Sequence, residues 1–263
     1  MDFDSGFPHF DAQHDDGADA YLRDAHPRPA RVALIGTYPP RRCGIATFTA
    51  DIVEQAARHT PEIAFDVFAL DDGKPRAYPS GVELLRADDP AAYRAAAEAI
   101  NASGAGAVWL QHEYGIFGGT DGELVCDFVD RLAAPLILTL HTVLGQPSEN
   151  QRRILEHLLE RASRVMVMSR HSRDLLIEHY GASPARVEVI EHGAPDRPFG
   201  RTAAAKSAQG CGERPVLMSF GLLGPGKGLE HVIDALPAIL ARHPELLYRV
   251  IGATHPVLAA RDG

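Results

Sequence analysis

Short apolar runs alternate with helical patterns between residues 31 and 193, and this alternation constrains the fold more than any other feature. The apolar runs are short enough to be buried strands, and the segments between them place apolar residues on one helical face. Strands that alternate with helices are typical of a parallel sheet, because each crossover between parallel strands needs a long connection. The predicted strands are 31–35, 64–70, 82–85, 107–111, 136–140, 164–168 and 187–190.

Five helices are predicted between these strands. The first has an apolar face formed by Ile45, Phe48, Ile52, Val53 and Ala56. The others span 91–102, 122–132, 149–161 and 172–180. This order of elements predicts an α/β fold, in which ligands bind at the carboxyl ends of the strands near the point where the strand order reverses.

Residues 1–30 differ in composition from everything that follows. They hold seven Asp against Arg23 and Arg28, and so contribute −5 of the net charge of −9. Because the segment has few apolar residues to offset its ordering entropy, we expect a disordered acidic arm. The negative net charge also argues against nucleic acid or an anionic membrane surface as the main partner.

Other whole-chain features favour a cytoplasmic protein. No apolar run approaches the roughly 20 residues of a membrane helix, and the first residues lack the pattern of a signal peptide. The three cysteines, Cys43, Cys126 and Cys211, are odd in number and widely spaced. They suggest neither a disulfide framework nor a zinc site, and they fit a reducing compartment.

The loop after the first strand is the first candidate binding segment. Gly36 and Gly44 bracket it, and the first helix begins directly behind Gly44. Unpaired N–H groups at a helix start suit a phosphate or another anion. The loop is not G-x-G-x-x-G, and Asp71 is only a weak candidate for a ribose ligand, so the sequence gives little support to dinucleotide binding. Arg41 and Arg42 could bind ligand or form a solvated rim.

A second candidate cluster follows the fourth and fifth strands. His112 and Glu113 stand at the end of one strand, and His141 stands at the end of the next. A single histidine at a strand end is usually structural, whereas two histidines and a glutamate at one sheet edge favour a functional cluster. No pair of histidines at i, i+4 on a helix supports a metal site.

Residues 194–214 are rich in Pro, Gly and small residues, which predicts a linker. The run VLMSFGLLGPGKGLE follows, with a predicted strand, a loop of four glycines and the start of a helix. Gly221, Gly226 and Lys227 in this loop predict a phosphate site. The loop matches the G-x-x-x-x-G-K core of a P-loop, but Gly228 stands where an NTPase needs Ser or Thr. A glycine-rich turn that only packs a helix against a strand is the simpler alternative.

Six segments together resemble the family 4 glycosyltransferases, in the order expected for that family: GTYPPRRCGIATFT, QHEYGIFGG, LTLHTV, VIEHGAPD, SFGLLGPGKGLE and YRVIGATHP. The resemblance implies two Rossmann-like domains of the type B fold that face each other across a cleft. Residues 31–193 would form the N-terminal acceptor domain. Residues 215–263 would begin a C-terminal domain that binds the nucleotide-sugar.

The resemblance also implies roles for individual residues. Tyr38, with His112 and Glu113, would face the acceptor, and His141 would lie near the transferred sugar. Lys227 would hold the phosphates of the donor as the leaving group departs. Donor contacts are implied for Gly44, Gly221, Gly226, Lys227 and Gly252. Such enzymes usually retain the anomeric configuration and need no metal, because a cation and a helix dipole stabilise the diphosphate.

Two departures from the family pattern shape the functional hypotheses. Leu222 stands where the family often has an arginine, and the chain stops at Gly263 with two predicted strands in its second domain. We therefore expect a truncated second domain and a weak or inactive enzyme. The main hypothesis is transfer of a hexose from a nucleotide-sugar to a carbohydrate or lipid-linked acceptor, the latter implying peripheral membrane contact. The alternatives are a non-enzymatic remnant that binds a nucleotide or partner, and a P-loop-like NTPase.

Overall fold

The computed structural model describes residues 31–195, 198–200, 202–221, 223–224 and 227–254. The predicted acidic arm, the predicted donor contact Gly226, and Leu222, which stands where the family often has an arginine, lie outside this part of the chain. The chain separates after Gly193 into two compact units. We describe each unit by itself.

The first unit is built on a seven-stranded parallel sheet with the order β3-β2-β1-β4-β5-β6-β7. Each predicted strand is present, with ends within two residues of the prediction. The order reverses between β1 and β4, which is the switch point of a doubly wound sheet. The strands are β1 (Arg31–Gly36), β2 (Ala64–Asp71), β3 (Val82–Arg86), β4 (Ala107–His112), β5 (Leu136–Leu140), β6 (Ala162–Val167) and β7 (Val187–Val189).

Five helices connect these strands: α1 (Gly44–His59), α2 (Pro90–Ala102), α3 (Leu124–Asp130), α4 (Glu149–Arg161) and α5 (Arg170–Tyr180). Local chemistry explains where several of them begin and end. Helix α2 has Asp89 as its N-cap and Pro90 in its first turn, and α4 begins with a capping box between Ser148 and Gln151. Helix α5 ends at Gly181, which is left-handed as a C-terminal glycine commonly is.

The core of the first unit surrounds the central strands. Residues 32–36 of β1 are all buried, and residues 107, 108 and 110–112 of β4 are buried as well. Because successive strand residues point to opposite faces, continuous burial means that both faces of the sheet are covered. This rigid core fixes the strand ends from which the candidate site is built.

The fully buried residues of helix α1 are not those of its predicted apolar face. Its buried residues are Ala46 and Thr49, while the predicted apolar face, including Phe48, is only half-buried. The cause is a close approach to β1: a Cβ added at Gly36 would lie 3.0 Å from Thr49 Oγ1. The small residues Ala46 and Thr49 therefore pack toward the sheet, and the Phe48 side chain lies outside the core.

The second unit contains a two-stranded parallel sheet of β8 (Val216–Phe220) and β9 (Leu247–Ile251). Helix α7 (Leu229–Leu240) lies between these strands in sequence and has no buried residue. Helix α6 (Thr202–Ala208) occupies part of the predicted linker, because its alanine run has high helix propensity. None of the helices in the described ranges is long and apolar enough to cross a membrane.

Candidate functional site

The candidate site lies at the carboxyl edge of the first unit's sheet, where the strand order reverses. Strands β1, β4 and β5 are neighbours, and the loops that follow them bring together residues from three distant parts of the sequence. The amide of His141, after β5, donates to the carbonyl of His112, at the end of β4, over 3.0 Å. Two of the predicted site segments are therefore in direct contact.

The amino end of α1 forms one side of this edge. Cys43 is the N-cap, and its sulfur accepts a hydrogen bond from the Ala46 amide at 3.4 Å. The same sulfur lies 3.1 Å from the hydroxyl of the fully buried Thr37. These contacts fix the start of the helix, whose first amides have no intrahelical acceptor.

Gly44 is the first residue of α1, and the protein itself does not require a glycine there. Gly44 is exposed, an added Cβ would meet nothing within 4 Å, and its φ is not positive. Neither packing nor backbone conformation explains the missing side chain. A helix start that is exposed and lacks a side chain leaves room for a ligand to approach its amides closely.

His141 is held by contacts on two sides. Its Nε2 lies 3.0 Å from Oε1 of Gln111, and its ring meets the ring of Phe48 edge-on at 5.1 Å between centroids. Burial, and then the charge of His192, lower the pKa of His141 to about 4. The imidazole is therefore neutral at pH 7. It can exchange hydrogen bonds with a ligand, but it supplies no positive charge.

His112 is completely buried, although it was predicted to face the acceptor. Its ring stacks on Phe117 at 5.8 Å and meets Tyr114 edge-on at 5.0 Å. Neither ring nitrogen has a hydrogen-bond partner among the described residues. Burial, with a smaller effect of His141, lowers the pKa of His112 to about 3. Strand β4 is covered on both faces, so the His112 side chain packs in the core at the end of the strand and does not reach the surface.

Glu113 joins the loops that follow β4 and β5. One carboxylate oxygen accepts a hydrogen bond from the Tyr114 amide at 3.0 Å, and the other accepts one from the hydroxyl of Thr142. The residue is half-buried, so part of the carboxylate stays accessible. Glu113 is thus held by residues that follow β4 and β5, whereas His141 is held by Gln111 of β4 and Phe48 of α1.

Tyr38 lies in the loop between β1 and α1 and is half-buried. Burial, and then the negative charge of Glu54, raise the pKa of its phenol, so the hydroxyl stays protonated at neutral pH. Arg41, in the same loop, donates from Nη1 to the Leu70 carbonyl at 3.3 Å, whereas Arg42 is exposed. Arg41 therefore ties the loop to the end of β2.

Asp71, the weak candidate for a ribose ligand, is engaged by two arginines. Its carboxylate lies 3.9 Å from Arg76 and 3.6 Å from Arg86. These ion pairs account for Asp71 as a structural residue at the ends of β2 and β3.

In the second unit, Lys227 is exposed in the loop between β8 and α7, and its amide donates to the Gly224 carbonyl at 3.2 Å. Its ammonium group is accessible to an anion. Gly252 has a structural reason to be glycine: an added Cβ would lie 1.8 Å from the Gly221 carbonyl oxygen. The backbones of Gly221 and Gly252, which directly follow β8 and β9, therefore lie in close contact. The predicted donor contacts of all three residues stay predictions.

Three residues that contact this edge were not predicted as site residues: Gln111, Thr142 and Phe48. Gln111 was assigned to a strand and Phe48 to the apolar face of a helix. A polar residue inside an otherwise apolar strand was the one available signal for Gln111. The partner of Thr142 could be recognised only after β4 and β5 were known to be neighbours.

Comparison with known proteins identifies the family. Residues 43–196 match the family model described as Glycosyltransferase Family 4. The chain belongs to glycosyltransferase family 4. Among curated relatives it is similar to the D-inositol 3-phosphate glycosyltransferase of Kribbella flavida, with 33% identity over 138 residues. That alignment covers 47% of this chain and 32% of the relative.

A second similar relative is the D-inositol 3-phosphate glycosyltransferase of Corynebacterium glutamicum, at 31% identity over 159 residues. This alignment covers 54% of the chain and 37% of the relative. The chain spans about a third of the length of these curated relatives.

Solved structures with the same fold confirm the predicted architecture. Anabaena Alr3699/HepE, determined in complex with UDP and glucose, aligns with a TM-score of 0.62 at 15% identity. That alignment covers 87% of this chain and 62% of the other. The lipopolysaccharide outer core galactosyltransferase WaaB, in its apo form, aligns with a TM-score of 0.57 at 10% identity, over 88% of this chain and 70% of its own. The prediction of an α/β type B fold is confirmed.

Proposed function

We propose that this chain is part of an enzyme that transfers a hexose from a nucleotide-sugar to an acceptor hydroxyl with retention of configuration. Membership of glycosyltransferase family 4 supports transfer of a glycosyl group. The observation that carries the proposal is that the His141 side chain contacts Phe48 of α1, the helix that begins at Gly44, near the β1/β4 switch point. A donor needs both an anion site for its phosphates and polar groups for its sugar.

The helix start is proposed to bind the donor diphosphate. Gly44 exposes the first amides of a helix of 16 residues, and the missing Cβ lets phosphate oxygens approach them. The neutral His141 is proposed to contact the sugar through a hydrogen bond. Tyr38 and Glu113 are proposed to face the acceptor. The buried His112 is proposed to support the loop that begins with Glu113.

Lys227 is proposed to supply the positive charge for the departing diphosphate, in a loop that also contains Gly221 and Gly226. Lys227 directly precedes Gly228, the N-cap of α7 in its own unit, and a cation beside a helix start stabilises developing charge without a metal ion. Metal-independent transfer is therefore part of the proposal. Gly252 is proposed to stand beside the nucleotide while it closes the strand ends.

The names of similar proteins indicate which ligands should be tried first. HepE was determined with UDP and glucose, and the curated relatives are named for D-inositol 3-phosphate. We therefore infer a UDP-sugar as the first donor and a hydroxylated ring compound as the first acceptor. A lipid-linked acceptor, which would bring the protein to a membrane surface, is the second acceptor class to try.

Binding of UDP-glucose to the chain in the presence of EDTA tests this proposal. Gly44→Ala should weaken binding at least tenfold, because a methyl group at the helix start keeps phosphate oxygens from the amides. Gly145→Ala is the matched control, since its added Cβ would make ordinary contact with Leu175 at 3.8 Å. Equal affinity in both variants would contradict the site. Where transfer is detected, the anomeric coupling in the product's NMR spectrum checks retention.

A further inference from the structure

Gln111 lies near the end of β4, within the candidate site, and its polar side chain is fully buried. Its Oε1 lies 3.0 Å from Nε2 of His141. Its Cβ and Cγ would each lie 3.1 Å from a Cβ placed on Gly36, so the side chain presses against β1. The amide is therefore confined between β1 on one side and the residue that follows β5 on the other.

The other end of the same amide has no partner. Gln111 Nε2 is buried without a hydrogen bond to any residue in the described part of the chain. A buried, unpaired amide is unfavourable, and an apolar side chain of similar size would avoid that cost. The contact of Oε1 with His141 is the compensating interaction that the structure shows.

We propose that Gln111 is a positioning residue that holds His141 as the neutral tautomer with its hydrogen on Nε2. In this tautomer, Nδ1 can accept a hydrogen bond from a ligand hydroxyl. An amide oxygen only accepts hydrogen bonds, so Nε2 of His141 is the donor in this pair. A neutral imidazole with hydrogen on Nε2 has a lone pair on Nδ1. No residue among those described is hydrogen-bonded to this Nδ1.

The contact with Phe48 completes the arrangement. With the ring held edge-on at 5.1 Å and its Nε2 bound to Gln111, the imidazole has little rotational freedom. An acceptor nitrogen recognises an O–H group and cannot donate to a phosphate oxygen. The part of the proposal that concerns the ligand rests on the proposed function: a hydroxyl of the sugar is the group that His141 would select.

Long-range ¹H–¹⁵N NMR of the histidine rings tests the tautomer in the chain alone. The parent protein should show the pattern of the Nε2–H form for His141. Gln111→Leu should convert it to a mixture of tautomers, while Gln111→Glu should restore the Nε2–H form, because a carboxylate also accepts from Nε2. Thr139→Val is the matched control: this buried hydroxyl accepts from Trp109 at 2.8 Å, so its loss should leave His141 unchanged. A parent His141 in the Nδ1–H form, or an unchanged tautomer in Gln111→Leu, would overturn the proposal.

A binding measurement tests the ligand contact separately. Gln111→Leu should weaken binding of UDP-glucose about tenfold relative to UDP, because both ligands carry the ribose hydroxyls but only UDP-glucose carries those of the transferred glucose. Equal losses for both ligands would overturn the hydroxyl contact. If the parent chain bound neither ligand, the proposed function would fail, and the tautomer measurement would still decide the role of Gln111.

Discussion

The buried His112 should make the first unit sensitive to mild acid. Its ring is enclosed by Phe117 and Tyr114, and both of its nitrogens are without partners among the described residues. Protonation in the folded state would place a charge in the core, whereas the unfolded chain accepts the proton freely. His112→Phe removes the titrating group and keeps a planar ring of similar size, so it isolates this effect.

The magnitude follows from the pKa of His112, which is lowered from 6.5 to about 3. Because the folded pKa lies below the unfolded one, the unfolded state binds more protons below pH 6.5, and stability falls as pH falls toward about 3. Each pKa unit corresponds to about 1.4 kcal/mol, so lowering the pH from 7.5 to 5 should cost about 2 kcal/mol through this residue. His112→Phe should escape that loss.

Urea denaturation at both pH values, followed by fluorescence, measures the effect. Trp109 is the single tryptophan of the chain and lies in β4, so its signal reports on the first unit. The free energy of unfolding of the parent should drop by about 2 kcal/mol more than that of His112→Phe between pH 7.5 and 5. The exposed His171 provides the control variant His171→Gln, which should follow the parent. Parallel pH dependence in parent and His112→Phe would refute the argument.

Three further predictions concern the second unit. Lys227→Ala should weaken UDP binding by about 1.5–3 kcal/mol, the range for a hydrogen bond to a charged group. Calorimetry measures this loss, with Lys206→Ala as the control, and an unchanged affinity in Lys227→Ala would show that the assignment is wrong. Gly252→Ala should speed amide exchange in β8 and β9, because the new Cβ would lie 1.8 Å from the Gly221 oxygen. Gly193→Ala should not, because its added Cβ meets nothing within 4 Å and its φ is not positive, and equal exchange rates in the two variants would count against the packing argument. In the parent, amides of α7 should exchange faster than those of β4, since α7 has no buried residue; slower exchange in α7 would contradict this.

Much of the fold could be predicted because buried strands and buried helix faces produce a regular spacing of apolar residues in the sequence. Strands β4 and β5 are apolar on both faces, so their limits were visible as short runs between helical segments. The face of α1 was harder, because its orientation depends on the close approach of Thr49 to Gly36. Helical periodicity alone identifies the apolar face that includes Phe48, and it does not single out Ala46 and Thr49 as the buried residues.

The candidate site was predictable to the level of strand ends, but its contacts were not. Glu113 and His141 could be expected at one edge because parallel strands end together. The hydrogen bond from His141 to Gln111, and the full burial of His112, depend on which strands are neighbours and on their register. Glycines were similarly ambiguous in sequence: Gly252 is required by packing, whereas Gly44 is not.

The proposed donor site is tested most directly by following the Gly44 amide of the ¹⁵N-labelled chain during a titration with UDP-glucose in EDTA. Gly145, an exposed glycine in the loop after β5, provides a reference amide in the same unit. We expect the Gly44 resonance to shift along a saturable curve while Gly145 stays in place, because the diphosphate binds the first amides of α1. A Gly44 resonance that stays unshifted at saturating UDP-glucose, or that shifts only after magnesium is added, would contradict the account.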